Sequence, residues 1–93
     1  MMYPDDTCVR IPQDLIIEQV DDEALVLDMS GNVFFSLNPV ALAMMTSLRE
    51  GKTLGEVAHS VGAEYDAPAD HIRQDLESFV QDLLERNLAS VDL

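Results

Sequence analysis

Two different spacings of apolar residues divide the chain near Leu37. From Cys8 to Leu37 the apolar runs are short and rich in Val, Ile and Phe: CVRI, LIIEQV, ALVLDM and VFFSL. Runs of this length bounded by turn formers read as β-strands, because branched and aromatic side chains pack well on a pleated surface. Ser30-Gly31-Asn32 separates the last two runs, and Gly and Asn accept the positive φ of a tight turn, so residues 24–37 are predicted to form a hairpin. Asp21-Asp22-Glu23 reads as the turn joining LIIEQV to it.

After Leu37 the spacing becomes helical. Asn38-Pro39 supplies an N-cap followed by proline at the first helical position. Val40, Ala43, Met44, Ser47 and Leu48 then share a face as far as Gly51, a C-terminal stop. Thr53 and Glu56 form a capping box that opens a second helix through about Val61, with Leu54, Val57, Ala58 and Val61 as its stripe. A third helix is expected to be capped by Asp66, with Pro68 in its first turn. It carries Ile72, Leu76, Phe79, Val80, Leu83 and Leu84, the strongest periodic stripe in the chain. Asn87 reads as a left-handed C-cap with Leu88 folded back behind it. The order predicts an α+β fold: a three-stranded antiparallel sheet, with CVRI as a further short strand, followed by three helices in a winged helix-turn-helix-like arrangement. Residues 1–93 are expected to form one domain, with 1–7 flexible.

Composition narrows the function. The net charge of −13, from five basic and 18 acidic residues, opposes binding to phosphate backbones and anionic membranes. No apolar run approaches the ~18 residues of a membrane span, and the N-terminus lacks the basic and apolar regions of a signal peptide. The single cysteine, Cys8, fits a reducing compartment, and the expected location is the cytoplasm. A winged helix brings DNA binding into question, but the second helix holds no Lys or Arg and residues 70–86 of the third carry a net −3. Nothing there could release counterions, so no nucleic-acid partner is expected.

Catalytic chemistry finds no support either. His59 and His71 lack a Cys or His at ligand spacing, so no metal is expected. Cys8 has no neighbouring base, the four glycines build no phosphate loop, and Asp5-Asp6 and Asp21-Asp22 read as solvated turn charges. The reading is a non-enzyme without cofactors. What remains is Val33-Phe34-Phe35-Ser36-Leu37, which holds two of the three phenylalanines in consecutive positions. Period-two alternation points one ring to each face of the sheet, one into the core and one outward. As a sheet edge this strand would offer unpaired N–H and C=O groups to an added strand. The N-terminal segment or a second copy could instead cover it.

These segments, taken in order, resemble the PqqD-like family of peptide-recognition domains. The matching positions are Leu27-Asp28, Gly31, Phe34-Phe35, Leu37-Asn38, Gly51, Thr53, Glu56, Asp75, Phe79-Val80, Leu83 and Leu88, within about residues 24–91. The chain departs from the family at Asn87, where Gly is usual, and at Ala89, where a larger apolar residue often stands. The resemblance implies a RiPP recognition element, which binds the leader segment of a ribosomally made precursor peptide as an extra strand in the groove beside the third helix. The leader-binding proteins of lasso-peptide biosynthesis, which act with a separate leader peptidase, are the most similar group. A PqqD-type peptide chaperone for a radical enzyme in quinone-cofactor synthesis is the alternative. A structural homodimer through edge-strand pairing is an alternative of another class. The expected peptide site comprises Val33, Phe34, Phe35, Ser36 and Leu37 with Ile72, Asp75, Leu76, Phe79 and Val80. The resemblance suggests a leader bearing Tyr-x-x-Pro, and Asp75 is a candidate to bond it.

Overall fold

The computed structural model describes residues 3–91. Strands β2 (Ile16–Val20), β3 (Glu23–Leu27) and β4 (Val33–Leu37) form an antiparallel sheet in the order β2-β3-β4. Helices α1 (Pro39–Arg49), α2 (Leu54–Glu64) and α3 (Ala69–Glu85) follow. The predicted sheet and three helices are therefore present. The CVRI segment is placed differently: β1 (Val9–Arg10) leaves the sheet and pairs with β5 (Ser90–Val91), a strand the sequence did not announce.

Local capping sets the helix boundaries. The Asn38 Oδ1 accepts from the Ala41 N–H at 2.8 Å. The Thr53 N–H donates to Glu56 at 2.8 Å, and the Glu56 N–H returns to the Thr53 hydroxyl at 3.2 Å, completing the capping box. Each helix ends on a residue of positive φ: Gly51 (88°), Asp66 (53°) and Asn87 (58°). Behind each, a backbone N–H turns back onto the last turn: Lys52 to the Ser47 carbonyl, Ala67 to Gly62 and Leu88 to Leu83. Asp66 is thus the left-handed stop of α2, which runs on to Glu64, and not the cap of α3. Pro68 occupies that cap position without a side-chain bond. Gly62 is required here, since a Cβ would lie 2.9 Å from the Ala67 carbonyl oxygen.

The core lies between the helices and one face of the sheet. Ala24, Val26 and Leu37 from the strands meet Met44, Met45, Leu48, Leu54, Val57, Val61, Ile72, Leu76, Val80 and Leu83. Of residues 1–7, expected to be flexible, 1 and 2 lie outside the described residues, and 3–7 make contacts with the helices. The Leu54 and Gly55 N–H groups donate to the Thr7 and Asp5 carbonyls, each at 2.9 Å. The guanidinium of buried Arg73 clasps Asp5 and the Tyr3 carbonyl, with Nε donating to Glu77 at 3.1 Å.

The hairpin loop is organised by Asp28, whose carboxylate accepts from the Ser30 and Asn32 N–H groups at 2.9 Å and from Asn32 Nδ2 at 3.0 Å. The Asn32 bonds chiefly hold the Asp28 carboxyl below its ordinary value of 3.8. The Thr53 N–H, first, holds Glu56 below its ordinary 4.5. A carboxyl depressed in the folded state contributes stability above its unfolded pKa and loses it as pH falls through the folded value. Acidification also relieves repulsion among the other carboxylates, so comparison with a variant isolates this contribution. The stability difference between the wild type and Asp28→Asn/Glu56→Gln should shrink steadily between pH 6 and pH 3 in urea titrations. A difference constant across that range would contradict it.

Candidate functional site

Strand β4 pairs only with β3, and among the described residues no strand lies on its other side. Its main-chain groups on that side form an open edge. The register against β3 slips by one residue: Val26 faces Phe35, but Leu27 faces Val33, leaving Phe34 as the extra residue of a β-bulge. The bulge interrupts the strict alternation expected of this strand.

The ladder assigns the two rings. Val26 and Ala24 face the helices, and their partners Phe35 and Leu37 therefore do too. Phe35 is half-buried against the core, and the Arg86 guanidinium lies over its ring, 5.2 Å from the centroid. Phe34, 38% exposed, belongs to the opposite, outer face together with exposed Val33 and Ser36. On that face Leu27 is nonetheless buried, flanked by Ile16 on β2 and Val33 on β4. The expectation of one inward and one outward phenylalanine thus holds, but the ring on the α3 side is the inward one.

The α3 residues divide just as clearly. Ile72, Leu76 and Val80 are buried in the core, as is Leu37 on β4. Expected as walls of the peptide site, they present almost no surface in the peptide-free domain and underlie the site instead. Exposed Asp75 and half-buried Phe79 lie on one flank of α3 at a spacing of four residues. A step of three and then one of four reach Asp82 and Arg86, both exposed. Because Arg86 covers Phe35, this flank is the one turned toward β4. The structure thus joins Arg86 to Phe35, and places Asp75, Phe79 and Asp82 along α3 on the flank that leads to Arg86. The sequence reading missed Asp82 and Arg86 because it followed only apolar positions of the stripe.

The other edge of the sheet, β2, is of a different character. It borders a shallow hollow of about 400 Å³ lined by Ile17, Gln19, Leu42, Thr46, Arg49 and Glu50, a mixed polar and apolar wall without an aromatic ring. Among the described residues no group of three or more His, Cys, Asp or Glu side chains stands close enough to hold a metal ion. No helix is long and apolar enough to cross a membrane, again among the described residues.

The class these features define is a small winged α+β domain whose exposed feature is a strand edge beside a partly apolar helix flank. Comparison with known proteins is specific. The family profile of coenzyme PQQ synthesis protein D (PqqD) matches residues 23–89, and the chain belongs to that family. The resemblance to PqqD-like recognition elements read from its motifs therefore stands. Among solved structures, TbiB1 in complex with the TbiA(beta) leader peptide is 27% identical with a TM-score of 0.73, covering 87% of this chain and 94% of its own. Lasso peptide synthetase B1 complexed with the leader peptide is 25% identical, also with a TM-score of 0.73, covering 88% of this chain and 96% of its own. Among curated proteins none matches the chain.

Proposed function

We propose that this domain binds the leader segment of a ribosomally made precursor peptide as a strand added to β4, and presents it to modifying or processing enzymes in the cytoplasm. It performs no chemistry of its own. The observation that carries this reading is the open β4 edge with Phe35 on its helix-facing side, in a fold shared along nearly its whole length with two leader-peptide complexes. Strand addition contributes main-chain hydrogen bonds of roughly 0.5–1.5 kcal/mol each net, without regard to sequence. Selectivity then rests on side chains reaching the helix flank, where an aromatic and a proline from a Tyr-x-x-Pro segment fit the apolar character of Phe35 and Phe79.

The favoured recipient is a lasso-peptide leader peptidase, supported by the likeness to lasso peptide synthetase B1. A PqqD-type role beside a radical enzyme in quinone-cofactor synthesis is supported by the family match. Self-pairing through β4 is the weaker reading, because it would bring together two copies that each carry −13.

Amide hydrogen exchange with a synthetic Tyr-x-x-Pro leader tests the docking edge. Exchange should slow across Val33 to Leu37, as new ladder bonds protect groups formerly open to water. Protection on β2 instead, or protection of β4 that grows with protein concentration in the absence of peptide, would refute the proposal.

A further inference from the structure

We infer that Arg86 is a specificity-determining residue of the peptide groove, and that it selects a carboxylate side chain in the bound strand. The inference rests on the β4 docking proposed above and names one chemical requirement of the ligand.

Four observations lead to it. Arg86 is the residue at which the α3 flank reaches the edge strand, with its guanidinium over Phe35 at 5.2 Å. A guanidinium held over a ring by cation–π attraction keeps N–H donors that can fork a carboxylate. Although Asp82 and Glu85 lie on the same turn, neither approaches Arg86 within ion-pair distance, and among the described residues no other carboxylate does. Arg73, by contrast, is buried and committed to Asp5, Glu77 and the Tyr3 carbonyl, and Lys52 lies 3.7 Å from Glu50.

The surroundings sharpen the selectivity. The domain carries −13, and the same flank presents Asp75 and Asp82, so an acidic peptide is repelled almost everywhere along it. A carboxylate gains only in the register that brings it beside Arg86, where the bound strand and the Phe35 ring also exclude water and strengthen the pair. An acid at that one position therefore fixes the register of a strand whose backbone bonds would accept several.

The test uses synthetic peptides of about 18 residues, each with Tyr-x-x-Pro in a Ser/Thr/Ala background and one Glu walked through the flanking positions, against Gln counterparts. With the wild-type domain, one register should bind about five- to tenfold tighter as Glu than as Gln, and the advantage should fade in high salt. Arg86→Gln should bring the Glu-to-Gln affinity ratio at that register to about one, whatever it does to the affinity of the Glu-free parent. Arg86→Lys, which keeps the charge but not the fork, should retain part of the advantage. Equal binding of Glu and Gln at every position, or an advantage that survives Arg86→Gln, overturns the inference while leaving β4 docking intact. A parent peptide that fails to bind at all overturns the docking proposal and this inference with it.

Discussion

In the Phe35→Ala variant, a Tyr-x-x-Pro leader peptide should bind about thirtyfold or more weakly, a loss of about 2 kcal/mol. The ring is half-buried on the helix-facing side of the edge strand, packed against the core from within and covered by Arg86. Its removal takes away the apolar wall beside the docking edge and frees Arg86 from its place over the ring, losing about 0.5–1 kcal/mol of cation–π attraction as well. Because the ring also supports the core, the variant should be destabilised by roughly 1–3 kcal/mol, so titrations belong at a temperature where circular dichroism shows it fully folded. Phe34→Ala is the control. Phe34 lies on the outer face, away from α3, and its truncation should change affinity by less than about threefold. Calorimetric titration of both variants decides the matter: a large loss in Phe34→Ala with little change in Phe35→Ala would place the peptide on the outer face.

The second large effect concerns stability. Leu76 is fully buried at the centre of α3, between Ile72 and Val80 on the helix stripe that closes the core. Leu76→Ala should lower the unfolding free energy by about 3–5 kcal/mol, since it loses both the transfer energy of the side chain and the contacts around the cavity left behind. A domain of this size has roughly 5–10 kcal/mol in total, so the urea midpoint should fall by about half or more. Leu76→Met, which conserves volume, should cost less than about 1.5 kcal/mol. The measurement also distinguishes core from groove. A Leu76→Ala domain that keeps its stability but loses leader binding would return Leu76 to the groove wall, where the sequence pattern had put it.

The burial of Leu76 shows where sequence reading stops. The periodicity of α3 correctly identified an apolar stripe through Ile72, Leu76, Phe79, Val80 and Leu83, but a stripe does not say which of its residues a neighbouring element covers. The sheet and the other helices enclose Ile72, Leu76 and Val80 completely and leave Phe79 at the margin. The same holds on β4. Two adjacent phenylalanines had to face opposite ways, and they do, yet their assignment awaited the register with β3 and the bulge at Phe34. Arg86 escaped notice because its importance comes from a ring about fifty positions away in the chain.

What the sequence determined alone were features whose cause lies within about four residues. Asn38-Pro39, the Thr53 and Glu56 capping box, Gly31 in the hairpin, and Gly51 and Asn87 at helix ends each act through a backbone group one turn away. Their energetics need no partner from elsewhere, so they are legible in a single chain. Asp66 is the instructive exception. It stands between two helices and could serve either, and the close packing of Gly62 against the Ala67 carbonyl made it the stop of α2. Tertiary structure alone decided the long-range features: β1 pairing with β5, the Arg73 clasp on the N-terminal segment, and Arg86 over Phe35. Each joins residues about fifty to eighty positions apart. Such contacts form only once the core has brought the elements together, because the entropy of closing so long a loop outweighs any one of them by itself.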